Sequence, residues 1–235
     1  MALATAAFSK TPPKTTPKKA PDLRVAAETC ASGAGDMAAI TACNDVLTAT
    51  KVTPAETIAA RMARARLLLS RKDPDKAIED LDAVLKLGRG NVDALALRVT
   101  ALRMKGQLGR ALADLAQVLA LAPHRNDLRA ERAIIYFEGG DYAGALADLD
   151  AVLASEPANV LALVDRARIH RKAGDAEKAL ADLDRALILQ PDDPQLLVMR
   201  ATLNEERGQL YAALGDIETV IAANDAGLDP WLTEG

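Results

Sequence analysis

KALADLDRALILQP, residues Lys178 to Pro191, is the stretch from which the fold is read, because it returns along the chain at a constant step of 34 residues. One step earlier stands GALADLDAVLASEP, closing on Pro157; before it come RALADLAQVLALAP, closing on Pro123, and KAIEDLDAVLKLGR, ending at Arg89. One step later comes AALGDIETVIAAND. The register has no gaps: Ala77, Ala111, Ala145, Ala179 and Ala213 coincide, as do Asp80, Asp114, Asp148, Asp182 and Asp216. A second series with the same step is Arg64, Arg98, Arg132, Arg166 and Arg200, each followed by a small or branched residue. A period of this length marks a solenoid whose unit is a helix-turn-helix pair, each pair burying its apolar face on the next. The expected fold is therefore all-α, an α-solenoid of antiparallel helix pairs.

These residues resemble the tetratricopeptide repeat (TPR) family over Ile58 to Gly227. The resemblance is carried by Ala133, Ala167 and Ala201 in the first helix of a pair and by Gly106, Gly140, Gly174 and Gly208 at the turn. The Ala-Leu pairs opening the second helix, and Pro123, Pro157 and Pro191 closing it, complete the pattern. It implies a right-handed superhelix with a concave, ligand-holding groove lined by the first helices. The family's large aromatic near the start of the first helix is replaced here by Leu95, Arg129, Leu163 and Leu197, so leucine packing takes over from aromatic packing. About five repeats over residues 54–227 are expected, preceded by a divergent helical hairpin over 22–50 and followed by a cap over 228–235, in which Trp231 is the candidate for covering the last repeat.

Half of the 235 residues are apolar and few are aromatic, which suits close-packed helices with a sizeable core. The net charge is −4, but Lys10, Lys14, Lys18, Lys19 and Arg24 stand against Asp22 alone in the first 24 residues, which leaves the remainder near −8. A nucleic-acid surface would want the opposite balance in the folded part, so a helical-repeat RNA binder is disfavoured. Residues 1–21 read as an irregular tail: MALATAAFSK is followed by the Thr/Pro/Lys-rich TPPKTTPKKAP, too polar and proline-rich to bury a core. The opening lacks the charged first segment and the length of a secretory signal, yet it resembles the later part of one.

Cys30 and Cys43, the two cysteines, fall late in one helix and early in the next of the N-terminal hairpin. Antiparallel helices bring such positions face to face, which favours a disulfide over a metal site needing four ligands; two buried free thiols are the other reading. A disulfide requires an oxidising compartment. Together with the signal-like opening it gives the expectation of a periplasmic or secreted protein, with the cytoplasm as the alternative.

No catalytic motif is found: no phosphate loop, no nucleophile elbow, no HExxH, and only His124 and His170 among histidines. His170, at the phase of Leu102 and Tyr136, reads as a hydrogen-bonded core histidine and His124 as a loop residue. The Asp series recurs with every repeat whereas an active site is assembled once, so it is read with the Arg series as a structural ladder, Arg132 pairing with Asp148 or with Asp114. Neither catalysis, a cofactor nor a bound metal is expected.

A binding function should lie in what varies between repeats. The outward face of the first helices places Arg103, Met104, Ile134, Phe137, Arg168, Arg171 and Lys172 around an apolar centre at Ile134 and Phe137, a seat for a peptide with an apolar anchor and acidic flanks. The Lys/Asn-rich carboxylate clamp of chaperone-binding TPR domains is not matched. The reading is a non-enzymatic protein-protein interaction scaffold or adaptor with a protein or peptide partner, no nucleic acid and no membrane span; a regulatory or targeting subunit of an enzyme complex is the alternative.

Overall fold

The structure, a computed structural model, describes residues 22–33 and 36–226, and these contain twelve helices and no strand. The N-terminal tail and Trp231 lie outside the described residues. The helices pair as α1 (Leu23–Ser32) with α2 (Asp36–Thr48), α3 (Pro54–Ser70) with α4 (Pro74–Leu87), and α5 (Val92–Met104) with α6 (Leu108–Leu121). They continue as α7 (Asn126–Glu138) with α8 (Tyr142–Ser155), α9 (Val160–Ala173) with α10 (Ala176–Leu189), and α11 (Pro194–Glu206) with α12 (Leu210–Ala226). Each second helix also packs on the first helix of the next pair, which makes a solenoid of six hairpins.

The repeat residues explain the helix limits. Thr53 and Glu56 form a capping box: Thr53 Oγ1 accepts from the Glu56 amide at 3.2 Å and Glu56 Oε2 accepts from the Thr53 amide at 2.8 Å. This box and Pro54 start α3 one turn early, giving it 17 residues where α5, α7 and α11 have 13. Asn91, Asn159 and Asp193 cap α5, α9 and α11 by accepting first-turn amides, and Asp73 and Asp141 cap α4 and α8. Asp175 departs from this series: its carboxylate makes no cap bond to α10 and holds Lys178 Nζ at 3.0 Å instead.

All five tight turns within the repeats end their first helix in the same way. The amide that follows a residue with positive φ reaches back to the carbonyl five residues earlier, as Gln107 to Leu102 at 2.9 Å and Asp141 to Tyr136 at 2.8 Å. That residue is glycine in four turns and Lys72, with φ 60°, in the first.

The core follows the register. Ala77, Ala111, Ala145 and Ala179 are completely buried, as are Leu81, Leu115 and Leu149, because the alanine lets the two helices of a pair approach while the leucine four residues on fills the seam. Where the resemblance implies an aromatic, Leu95, Leu163 and Leu197 are buried, and the half-buried Arg129 donates from Nη2 to the Pro123 carbonyl at 2.6 Å. Cys30 and Cys43 are bonded to each other, with their Cα atoms 4.9 Å apart, and sit in a small core with Ala26, Ala42, Val46 and Ala60 that docks the first hairpin on α3.

The Arg and Asp series meet within each repeat. Arg132 donates from Nε and Nη2 to Asp148 at 2.7 and 2.6 Å, which settles the choice between Asp148 and Asp114, and Arg98–Asp114, Arg166–Asp182, Arg200–Asp216 and Arg64–Asp80 repeat the fork. The third guanidinium nitrogen reaches back one repeat: Arg98 to Asp82, Arg166 to Asp150 and Arg200 to Asp184. Two aspartates two residues apart lie about 200° apart around a helix, so the DLD runs of α4, α8 and α10 serve their own first helix with one carboxylate and the next repeat with the other. Arg132 finds Ala116 at that second position and lies over the Tyr136 ring instead, 5.8 Å from its centroid.

Candidate functional site

Successive first helices touch one another, α3 with α5 and α7 with α9, and no comparable contact joins successive second helices. The row of first helices is therefore the inner side of the solenoid's curve. Its seams differ in chemistry. Between α3 and α5 the half-buried Leu69 and Leu97 pack into the same core. Between α5 and α7, Arg103 crosses to Glu131 at 3.1 Å and to Glu138 at 3.5 Å. Between α9 and α11, Arg171 crosses to Glu206 with two bonds of 3.1 and 2.8 Å.

The α7–α9 seam has no such crossing pair. Phe137 occupies in α7 the place that Arg103 and Arg171 hold in their helices, and the residue opposite is Asp165, one step on from Glu131. A hollow of about 230 Å³ opens there, lined by Ile134, Phe137, Glu138, Leu149, Asp165, Arg168 and Ile169. It shares Ile134 and Asp165 with a wider hollow of about 560 Å³ toward the starts of the helices, which Arg103, Ala130, Glu131 and Leu161 border. Leu161 is 78% exposed although apolar. The Asp165 side chain is only 26% exposed, and Arg168 of its own helix approaches no closer than 3.6 Å. Burial pushes the Asp165 carboxyl above its ordinary range, and Arg168 only partly opposes this.

Of the residues read from sequence, the structure gathers Arg103, Ile134, Phe137 and Arg168 around these joined hollows. Met104 is exposed outside them, and Arg171 and Lys172 lie beyond the lining. Three departures have physical causes. Arg103 and Arg171 are held by carboxylates of the neighbouring helix, so their charge is already matched. Phe137 is half-buried, packs on the core of the middle repeats and meets Tyr142 with ring centroids 5.7 Å apart, so it is a structural residue as well as a groove residue. His170 is buried as expected, but its Nδ1 has no hydrogen-bond partner; Asp175 lies 3.8 Å away and burial pushes the imidazole pKa down. Asp165, Glu131 and Leu161 escaped the sequence reading, although a residue directly before each ladder arginine of α7 and α9 was a legible signal for the first two. Among the described residues no cluster of acidic, histidine or cysteine side chains could hold a metal ion, and no helix is long and apolar enough to cross a membrane.

Profiles of the tetratricopeptide repeat match residues 97–170 and 166–229, and a second profile of the same repeat matches 62–126. The chain is a tetratricopeptide repeat protein. Solved structures agree in fold. A TPR protein from Parabacteroides merdae superposes with a TM-score of 0.75 at 19% identity, over 85% of this chain and 79% of that one. The C-terminal part of a TPR protein from Cytophaga hutchinsonii gives 0.75 at 15% identity, over 88% and 80%. MamA from Desulfovibrio magneticus RS-1, residues 41 to the end, gives 0.67 at 19% identity, over 74% of this chain and 98% of that one. No protein of curated function matches this TPR chain in sequence.

Proposed function

We propose that this TPR protein is a non-catalytic interaction scaffold whose inner face holds a peptide segment of a partner protein across α7 and α9. The observation that carries this reading is the pair of joined hollows in the middle of the solenoid, with the exposed Leu161 at one end and Phe137 at the other. Apolar surface left bare on the inner side of a curved array is what a bound segment would cover, and an aromatic in a partly enclosed hollow is a common anchor point. The carboxylates around it disfavour a phosphate backbone as ligand, which supports a protein over an RNA partner.

The Cys30–Cys43 bond further supports an oxidising compartment, periplasmic or extracellular, as the place of work. Alkylation of freshly extracted protein checks this: both thiols free in the native compartment would overturn it. The scaffold reading is tested with a photo-crosslinking amino acid placed at Leu161 in the groove and, separately, at the exposed Ala147 of α8 on the outer row. A specific adduct from position 161 and none from 147 is the expected result, and the adduct's identity tells whether the partner is an enzyme that this chain regulates or targets. Adducts from 147 alone would move the binding surface to the second helices.

A further inference from the structure

The seams between first helices carry their own demonstration of what fits the groove. At the α5–α7 seam an arginine reaches across to the next helix and holds its guanidinium between Glu131 and Glu138. At the α9–α11 seam another arginine meets Glu206 as a fork. At the α7–α9 seam the acid is present and no cation crosses to it from the neighbouring helix: Asp165 shares the hollow with the apolar Ile134, Phe137 and Ile169, and its ion pair is the long one, 3.6 Å, to Arg168 of its own helix, which is 61% exposed. A carboxylate three-quarters covered by protein and held only by one long ion pair to an exposed arginine is costly, and the cost falls when a second cation completes it.

Resting on the groove reading above, we propose that the α7–α9 hollow is a seat for one lysine or arginine of the partner segment. The stem of that residue lies on Ile134 and Phe137, and its cation bonds Asp165. A following apolar residue of the segment reaches Leu161 through the wider hollow. The chain thus selects a basic residue with apolar neighbours, the reverse of the acidic segment that Arg103, Arg168 and Arg171 imply when read without their partners. The internal Arg103 pair sets the scale: a charge-assisted contact of that kind, partly covered, corresponds to about a tenfold gain in affinity.

Panning a library of short random displayed peptides against the full chain, its Asp165→Asn variant and its Leu161→Ser variant tests this directly, with the helical signal of each variant recorded first. Peptides recovered on the parent should be enriched about tenfold in Lys or Arg beside aliphatic residues, and the basic preference should vanish on D165N, which keeps the shape and removes the charge. Recovery should fall on L161S for basic and neutral peptides alike. Enrichment of acidic residues, no charge preference, or a basic preference that survives in D165N overturns the cation seat; if L161S still lowers recovery in that case, the groove reading stands without it. Peptides indifferent to both variants overturn the groove reading itself.

Discussion

Replacing Arg132 by alanine leaves Asp148 in the seam of its own helix pair with no partner, and that is the most direct test of how the solenoid is held together. The Asp148 side chain is 7% exposed and that of Arg132 22%, so the two ends of the pair are unequal. Stranding one member of a well-buried pair costs about 3–5 kcal/mol. Because the guanidinium keeps some access to water, Arg132→Ala belongs at the lower end, about 3 kcal/mol, the carboxylate being the member left dry. Asp148→Ala should cost less, about 2 kcal/mol, since the arginine can turn to solvent and to the Tyr136 face. The double variant should lose about 1–2 kcal/mol less than the sum of the singles. Hydrogen exchange of α7 and α8 amides in the full chain is the appropriate assay, because a solenoid can open locally without a global transition. Losses that add within about 0.3 kcal/mol, or Asp148→Ala exceeding Arg132→Ala, would refute the account. Ala116→Asp supplies the third contact that the other ladder arginines have; since Asp82, Asp150 and Asp184 are 38%, 62% and 54% exposed, it should add no more than about 1 kcal/mol.

Four further outcomes are expected. Lys72→Gly should stabilise the first repeat by about 0.5–1 kcal/mol, read as a shift in urea midpoint at unchanged slope, because Lys72 holds the left-handed conformation that glycine holds in the other four turns. Reduction of Cys30–Cys43, or its replacement by serines, should weaken the first hairpin by about 3 kcal/mol in the chain-entropy account for bonded residues 13 apart, while exchange in α9 to α12 stays as it was. Phe137→Ala should cost about 2 kcal/mol in the middle repeats, its half-buried ring being part of the core; an unchanged melting temperature would show it to be a groove residue alone. Asp165→Asn tests the charge in the groove by pH. Burial raises this carboxyl's pKa in the folded chain, so the folded state keeps a proton that the unfolded state has lost, and stability falls as pH rises through the range above the ordinary carboxylate value of about 3.9. The variant should therefore be the more stable at neutral pH, with the difference closing below that value; a less stable variant at neutral pH would contradict it.

The repeat pattern exposed the fold because every structural device recurs. The buried alanines, the positive-φ turns and the ladder each appear four or five times in one register, so a single misreading is corrected by its neighbours. Pairing across repeats was less legible. Arg132 could be placed against an aspartate of its own repeat or of the preceding one, and only the spacing of the stacked helices shows that one guanidinium serves both sides, with Ala116 interrupting the second contact. The groove was the least legible part, because a face read from one helix at a time shows cations without the acids that the next helix brings to them. Arg103 and Arg171 read as a basic surface in sequence and are matched charges in the solenoid.

In a repeat array, then, lapses in a recurring partnership are the places to look for function, but only those that the protein leaves uncompensated. Two lapses occur in the middle repeats. At Ala116 the ladder loses a carboxylate, yet Arg132 keeps its full fork to Asp148 and gains the Tyr136 face, so nothing is left wanting. At Phe137 the inner face loses a crossing cation, and there the opposite acid stays covered, its ordinary ionisation is opposed by burial, and a hollow opens beside it. An apolar side chain set against a carboxylate costs the fold stability that an arginine at position 137, as at Arg103, would have recovered. A scaffold whose middle seam gives up that stability leaves it to be supplied by a ligand's cation, and the same energy that makes Asp165 a weak point of the free protein becomes the source of its selectivity.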